Sequence, residues 1–97
     1  MFSIIIPTFN NINYLKKCIE SIKKNSAYTH EIIPHVNEGT DGTLDYLKNN
    51  NIAYTYTSHN SGICTGMNMA AKKAKTQYIL YAHDDFYFCP NWDHVLI

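Results

Sequence analysis

Phe2–Phe9 reads FSIIIPTF, a continuous apolar run that ends at Pro7. Such a run is typical of a strand that is buried on both faces of a sheet. In residues 11–24, apolar side chains recur every three or four positions, which predicts an amphipathic helix with lysines on its outer face. Asn10 or Asn11 is the predicted N-cap of this helix. A buried strand followed directly by an amphipathic helix indicates the first unit of an α/β fold.

The same alternation continues along the rest of the chain. The other predicted elements are strands at residues 31–36, 53–57 and 77–82, and helices at residues 40–51 and 62–75. Alternating strands and helices form a parallel sheet with right-handed crossovers and helices on both faces. The predicted fold class is therefore α/β, a Rossmann-like parallel sheet of about four strands in a single domain of residues 1–97. Pro34 removes a ladder donor, so the second strand is expected to begin after Pro34 or to be bulged there.

The composition excludes several classes of function. The chain has 97 residues, of which 45% are hydrophobic and 16% charged, as in a globular domain with one core. Its formal net charge is zero, so no nucleic-acid partner and no anionic membrane surface is expected. All eight cationic side chains are lysines, which excludes a bidentate guanidinium clamp on phosphate.

The cysteines and the N-terminus predict a cytoplasmic location. Cys18, Cys64 and Cys89 are far apart and lack CxxC spacing, so reduced, buried thiols are expected rather than a disulfide framework or a zinc site. Met1 is followed at once by the first strand, without the basic segment of a signal peptide. The apolar runs are far shorter than the roughly 20 residues that span a bilayer.

Polar residues follow three of the predicted strands, at residues 7–10, 37–39 and 83–85. In parallel α/β sheets, ligands bind beyond the carboxyl ends of the strands, at the point where the strand order reverses. The fold therefore places these three clusters on one rim. Their convergence is the strongest functional signal in the sequence.

The third cluster is acidic. Asp84 and Asp85 emerge directly from an apolar strand, and two adjacent carboxylates are stable only when they are exposed or neutralised by a cation. Oxygen ligands without a cysteine or histidine cluster suit Mg²⁺ or Mn²⁺, with phosphate supplying further ligands. A solvated turn is the alternative, because aspartate is common in turns. The position beside two other polar strand ends favours the metal site, and His83 is interpreted as a packed turn residue.

Three blocks carry these clusters: SIIIPTFNNINYLKKCIESI at residues 3–22, VNEGTDGTLDYL at 36–47 and HNSGICTGMNMAAKKAKTQYILYAHDDFYFCP at 59–90. Together they resemble the N-terminal half of a family 2 glycosyltransferase with the GT-A fold. The first block is similar to the family's first strand, PTxN turn and first helix. The second resembles V-D-D-G-S-T-D-G-T with one residue deleted, and the third resembles the segment that leads to the D-x-D metal motif. The resemblance covers almost the whole chain.

The resemblance implies a nucleotide-diphosphosugar donor, held with Mn²⁺ or Mg²⁺ and transferred with inversion to a sugar, lipid or protein acceptor if an acceptor half is supplied. Asp85 matches the last aspartate of D-x-D and is the implied metal ligand. No catalytic base is identified, and Asp93, the only later carboxylate, is interpreted as structural. The residues implied to bind the nucleotide-sugar are Pro7, Thr8, Phe9, Asn10, Asn37, Glu38, Asn60, Gly62, Asn68 and Asp84.

The chain departs from the family pattern at three places. His83 replaces the first aspartate of D-x-D, Asn37 replaces an aspartate, and GMN at residues 66–68 stands where the family often has A-R-N. These departures leave open a non-catalytic interaction or regulatory module with a decayed donor site. A sugar nucleotidyltransferase is disfavoured because residues 7–11 contain no glycine, and a receiver domain because its acidic positions are neutral here.

The last residues of the sequence are apolar. Trp92 and residues 95–97 would expose apolar surface, and exposed apolar patches commonly form interfaces. We therefore expect the chain to form a homo-oligomer.

Overall fold

The structure is a computed structural model that describes residues 1–94. Its elements in chain order are β1 (Phe2–Phe9), α1 (Ile12–Asn25), β2 (Glu31–Asn37), α2 (Thr43–Asn49), β3 (Thr55–Thr57), α3 (Ile63–Lys72) and β4 (Tyr78–Tyr81). Every predicted element is present in the predicted order, with ends that differ by up to three residues. Within the described residues, no helix has the length and apolar character needed to cross a membrane.

The four strands form one parallel sheet in the order β3-β2-β1-β4. β1 pairs with β2 from Ser3↔Glu31 to Phe9↔Asn37, and with β4 from Phe2↔Tyr78 to Ile5↔Tyr81. β2 and β3 thus lie on one side of β1, and the chain then crosses to place β4 on the other side. This reversal lies between β1 and β4, which is where the sequence predicts a ligand site.

Helices cover both faces of the sheet, as predicted. Ile4 and Ile6 on β1 are fully buried in the cluster that contains the apolar faces of α1 and α2. Ile5 points to the opposite face and packs against Ala70 of α3. Burying one such side chain contributes about 1.5–3 kcal/mol. The α/β fold class predicted from the sequence is confirmed.

Pro34 lies inside β2, so both expectations for this residue are wrong. β2 begins at Glu31, and Pro34 pairs with Ile6 in an uninterrupted register. On the other side of β2, pairing with β3 starts only at His35. Because β2 has a free edge at Pro34, the proline is tolerated there without a bulge.

Asp41 connects the start of α1 with the start of α2. Its Oδ2 accepts a hydrogen bond from the Ile12 N–H at 2.9 Å, and its Oδ1 accepts one from the Thr43 N–H at 3.2 Å. Asn11 holds the predicted N-cap position of α1, but its side chain makes no capping bond. One carboxylate therefore satisfies a free N–H group at the start of each helix.

Asp93 fixes the C-terminal segment to the connection between α1 and β2. It is fully buried and accepts hydrogen bonds from the N–H groups of Ala27 at 2.7 Å and Tyr28 at 3.0 Å. The Nε2 atom of His30 lies 2.6 Å from Oδ2. The carboxylate is thus held by protein groups, in agreement with its structural interpretation. The apolar residues 95–97 lie outside the described residues.

The cysteines differ from the prediction in their burial. Cys18 is buried on the core-facing side of α1, but Cys64 and Cys89 are exposed. Cys64 lies in the first turn of α3 and Cys89 in the turn before Trp92, so neither belongs to a core-facing stripe. All three are free thiols.

Candidate functional site

A pocket of about 290 Å³ opens at the carboxyl ends of the strands. It is bounded by the ends of β1 and β2, by the turn after β4 and by the loop that joins β3 to α3, residues 58–62. This is the edge at which parallel α/β sheets bind ligands. The lining residues are Pro7, Thr8, Phe9, Asn37, Asn60, Gly62, Ile63, His83 and Asp84.

A cavity of about 310 Å³ lies at the opposite end of the sheet. Its walls come from the end of α1 and the start of β2, at residues 22–32. No residue predicted for the ligand site contributes to it, and it lies at an amino end of the sheet. The strand-end pocket is therefore the candidate site, although it is slightly smaller.

Thr8 and Asp84 join two sides of the pocket. Thr8 is only 2% exposed, and its hydroxyl donates a hydrogen bond to Asp84 Oδ2 at 2.8 Å. The turn that carries Asp84 is also held from below, where Cys18 Sγ donates to the His83 carbonyl at 3.6 Å. Burial, reinforced by the charges of Asp84 and Asp85, raises the pKa of the Cys18 thiol to about 12. Cys18 is thus a protonated donor and not a nucleophile.

Asn37 lies at the end of β2 and is 3% exposed. Its Oδ1 accepts hydrogen bonds from the Ser61 N–H at 3.0 Å and the Ser61 hydroxyl at 2.9 Å, and lies 3.1 Å from Thr57 Oγ1. Its Nδ2 donates to the Thr8 carbonyl at 3.4 Å. The oxygen is therefore occupied by protein donors, and one N–H is left for a ligand.

His35 lies beneath Asn37 on the α3 side of the sheet and is fully buried. Its two ring nitrogens lie 2.7 Å from Thr55 Oγ1 and 3.2 Å from Thr57 Oγ1. Burial lowers the pKa of the imidazole, so the ring is neutral near pH 7. His35 therefore supports the pocket without facing it.

Two residues beside the pocket have a left-handed backbone, Asn10 with φ 45° and Glu38 with φ 64°. The Asn10 side-chain oxygen accepts a hydrogen bond from the Thr40 N–H at 2.8 Å, and the Glu38 N–H donates to the Thr57 carbonyl at 2.9 Å. Such conformations are uncommon outside glycine and concentrate at functional sites.

The structure brings most of the predicted binding residues together. Asn10 and Glu38 each follow a lining residue but do not line the pocket, and Asn68 lies on the exposed side of α3. The predicted residues that line the pocket are Pro7, Thr8, Phe9, Asn37, Asn60, Gly62 and Asp84.

Asp85 faces a different cavity from Asp84. It lines a neighbouring groove of about 510 Å³, together with residues 86–89 and Trp92. Among residues 1–94, no three His, Cys, Asp or Glu side chains converge in a way that could hold a metal ion. Asp84 and Asp85 can supply one or two oxygen ligands, and a bound cation would take the others from a diphosphate and water, as Mg²⁺ commonly does. The carboxylates alone do not form a metal site, so a cation here would have to arrive with its phosphate ligands.

Sequence reasoning missed two lining residues, Ile63 and His83. The sequence predicts a packed turn residue at His83, but this side chain is exposed and lines the pocket. Its ring meets that of Phe86 edge to face, with 5.2 Å between the ring centroids. Its position directly before Asp84 could have indicated its role. Ile63 follows Gly62, and nothing in its residue type distinguishes it from a core residue.

The fold and the position of the pocket define a GT-A-type α/β domain. The family described as Glycosyl transferase family 2 matches residues 3–97, and the chain belongs to this family. An uncharacterized glycosyltransferase of Rickettsia typhi is 32% identical over 98 residues, which cover 97% of this chain and 30% of that protein. The chondroitin synthase of Pasteurella multocida is 30% identical over 95 residues, which cover 94% of this chain and 10% of that protein.

Solved structures share the fold. S. aureus TarS 1-349 in complex with UDP-GlcNAc superposes with a TM-score of 0.82 at 25% identity, over 98% of this chain and 29% of TarS 1-349. The mannosyltransferase PcManGT of Pyrobaculum calidifontis, in complex with GDP-Man and Mn²⁺, has a TM-score of 0.78 at 19% identity, over 97% of this chain and 30% of that one. The chain thus spans less than a third of the length of these relatives.

Proposed function

We propose that the chain is the donor-binding part of a glycosyltransferase and that its strand-end pocket holds a nucleotide-diphosphosugar. The observation that carries the proposal is the convergence of Thr8, Asn37 and Asp84 on one pocket at the carboxyl ends of the sheet. TarS, which shares the fold at 25% identity, is described with UDP-GlcNAc and with UDP. The pocket combines apolar walls with a few polar groups, as small-molecule sites do.

The lining residues suggest which part of the pocket holds the nucleoside and which part holds the sugar-diphosphate. Pro7 and Phe9 offer apolar surface to the nucleoside, and Thr8 offers polar atoms beside it. Asn10, which the resemblance assigns to the same part of the donor, follows Phe9 but does not line the pocket. The resemblance assigns Asn60, Gly62 and Asn68 to the sugar-diphosphate and Asn37 to the base or ribose. Of these four residues, Asn68 does not line the pocket, and neither does Glu38, which follows Asn37. The chain has no arginine, so lysines, backbone N–H groups or a cation have to meet the phosphates.

We also propose that a divalent cation, Mn²⁺ or Mg²⁺, accompanies the donor, with Asp85 as ligand and Asp84 beside it. When bound, the cation would stabilise the charge that develops on the leaving nucleotide. Two hydrogen bonds support this proposal, because they hold the turn that carries both aspartates. The Thr8 hydroxyl donates to Asp84, and the Cys18 thiol donates to the His83 carbonyl.

Transfer to a sugar, lipid or protein acceptor, with inversion, is part of the proposal only if an acceptor half is supplied. An inverting reaction needs a base on the face opposite the leaving nucleotide. Asp93, the carboxylate that follows Asp85, is buried and held by three protein groups, so it is not offered for this role. A cytoplasmic location is also proposed, since three free thiols suit a reducing compartment.

A non-catalytic interaction module is the second candidate. The observation that favours it is the separation of the two acidic side chains, since Asp84 lines the pocket and Asp85 the neighbouring groove. His83 in place of a carboxylate weakens the cation site further. Such a module would keep the fold without the donor.

Titration of UDP, GDP and their sugar conjugates, with and without Mn²⁺, distinguishes the two candidates. We expect Mn²⁺ to strengthen binding, and Asp85→Ala to weaken the Mn²⁺-dependent binding by about tenfold or more, a loss of about 1.4 kcal/mol. The matched control is Asp45→Ala, an exposed aspartate on α2, which should bind like the wild type. If no nucleotide binds up to about 1 mM, which corresponds to about −4 kcal/mol, the donor proposal is wrong and the interaction module is favoured.

We further propose that two copies of the chain pair through β4. β4 is an edge of the described sheet, and Tyr78, Ile79 and Tyr81 on it are 61%, 42% and 53% exposed. Lys75 precedes β4, and an acidic pair at residues 84 and 85 follows it. Antiparallel pairing of two β4 strands brings the basic end of each copy towards the acidic end of the other, while parallel pairing would oppose like charges.

A further inference from the structure

Asn37 connects two walls of the pocket through its side-chain amide. Its oxygen accepts hydrogen bonds from the Ser61 N–H at 3.0 Å and the Ser61 hydroxyl at 2.9 Å. Its nitrogen donates to the Thr8 carbonyl at 3.4 Å. Ser61 belongs to the loop of residues 58–62 and Thr8 to the end of β1, so one side chain bridges the two.

The orientation of this amide is fixed by backbone groups. The Ser61 N–H can only donate, which places the amide oxygen on its side. The Thr8 carbonyl can only accept, which places the amide nitrogen on the other. An aspartate of the same shape would keep the bonds to Ser61 but would place a negative oxygen against the Thr8 carbonyl, close to Asp84.

Asn37 anchors the loop of residues 58–62 to a strand that is remote from it in sequence. Among residues 1–94, the side-chain hydrogen bonds that reach residues 58–62 from the strands come from Asn37 on β2 and from Thr57 at the end of β3, and of these only the bonds from Asn37 come from a strand that the loop does not directly follow. Thr57 lies 2.8 Å from the His59 carbonyl and 3.4 Å from Ser61 Oγ, and the Gly62 N–H donates to Asn60 Oδ1 at 3.1 Å, so these bonds join residues close in sequence. This loop supplies Asn60 and Gly62 to the pocket wall.

We propose that Asn37 is a positioning residue that clamps the loop of residues 58–62 to the end of β1 and thereby sets the width of the pocket. The role in ligand binding rests on the proposed function, but the clamp itself exists in the free protein. The amide, unlike a carboxylate, satisfies both ends at once. Asn37 acts on a bound nucleotide mainly through the loop, because its oxygen is already occupied.

Amide hydrogen exchange of the free protein tests the clamp directly, since it measures local opening. In Asn37→Ala, we expect the Ser61 amide to exchange about tenfold faster, because up to two hydrogen bonds are lost. The amides of Ile5 and Val36 in the buried strands should be unchanged. In Asn37→Asp, the Ser61 amide should regain its protection, because the carboxylate still accepts from it. Asn49→Ala and Asn49→Asp, at an exposed position on α2, are the matched controls.

Titration with UDP supplies the second readout. Both Asn37→Ala and Asn37→Asp should bind UDP about five- to tenfold more weakly, the first through a loose loop and the second through repulsion at the Thr8 end. If Asn37→Ala does not fold, Ser61→Ala removes one of the two bonds and should still lower UDP affinity, by about threefold.

The outcomes separate the clamp from the proposed function. Unchanged Ser61 exchange in Asn37→Ala, or unchanged UDP affinity in Asn37→Asp and Ser61→Ala, overturns the clamp as a determinant of binding. If the wild type binds no nucleotide while Ser61 exchange rises in Asn37→Ala, the donor proposal fails and the clamp is supported.

Discussion

Single polar side chains hold together parts of the chain that are remote in sequence. Thr8 on β1 bonds to Asp84, and Asp93 bonds to the N–H groups that precede β2. Burial by itself would raise the pKa of Asp93, but its hydrogen bonds outweigh that effect and lower the pKa to about 2. Within residues 1–94, no buried side-chain nitrogen or oxygen lacks a partner. The polar residues of the site therefore also contribute to the fold, because burying them unpaired would be costly.

His35 should make the protein less stable on mild acidification. Burial lowers the pKa of its ring in the folded state below the ordinary value of 6.5. Below about pH 6.5 the unfolded chain therefore binds a proton that the folded chain does not. The free energy of unfolding should decrease as the pH falls through this range, by at most about 1.4 kcal/mol per pH unit for one proton. Urea unfolding between about pH 8 and pH 5 measures the slope.

Two glutamine variants identify the group responsible. His35→Gln removes the buried ring and should flatten the dependence of stability on pH. His59→Gln changes an exposed histidine in the loop of residues 58–62, and the dependence of stability on pH should stay as in the wild type. An equal slope in His35→Gln and the wild type would show that this histidine does not cause the effect.

The sequence could place the site but not its side-chain orientations. The sequence predicts that Thr8, Asn37 and Asp85 converge, because parallel strands end at the same edge of a sheet, but Asp84 and not Asp85 lines the pocket with the other two. Which of Asp84 and Asp85 lines the pocket depends on the turn after β4, and that turn is fixed by contacts from Cys18 and Thr8. The capture of the Asn37 oxygen by Ser61 joins residues 24 positions apart, and no local pattern encodes it.

Gly66 determines how closely α3 packs on the sheet. A Cβ atom at this position would lie 2.6 Å from Cδ2 of the His35 ring and 3.1 Å from its Cγ. Both residues are buried, so the ring has no room to withdraw. The helix thus approaches β2 at a distance that only glycine permits.

Gly66→Ala should therefore lower the free energy of unfolding by about 1–3 kcal/mol, because it overpacks this contact. In a His35→Ala background the ring is gone, so Gly66→Ala should raise the free energy of unfolding by up to about 1 kcal/mol, since alanine is a better helix former than glycine. Urea denaturation of the four proteins of this cycle measures both changes. A stabilising Gly66→Ala in both backgrounds would contradict the close contact.

Elements with a strong local pattern were predicted best. β1 has the predicted ends, and α1 differs by one residue at each end, because their apolar patterns dominate. α2 is shorter than residues 40–51 because Asp41 binds the N–H groups of both Ile12 and Thr43, which makes residues 40–42 a connection rather than a first turn. Gly42 there has φ 97°. Such contacts between elements override propensity.

For the whole molecule, the exposed edge strand β4 predicts self-association. Sedimentation velocity at tens of micromolar should show a dimer, because two β4 strands can pair and bury Tyr78, Ile79 and Tyr81. Ile79→Lys places a charge in the middle of this edge and should give a monomer. The matched control is Tyr14→Lys on α1, where Tyr14 is 56% exposed, and it should remain dimeric. A monomeric wild type would overturn the proposed pairing.

The placement of β1 between β2 and β4 has a consequence for biosynthesis. Phe2 pairs with Tyr78, so 76 positions of chain separate the two partners. At about 5–20 residues per second, a ribosome needs about 4–15 s to translate that distance. During this interval β1, the most apolar strand, has left or is leaving the exit tunnel, and the side of β1 that pairs with β4 has no partner. Nascent chains that stall in this window expose an aggregation-prone segment, and chaperones that bind it then act before the sheet is complete.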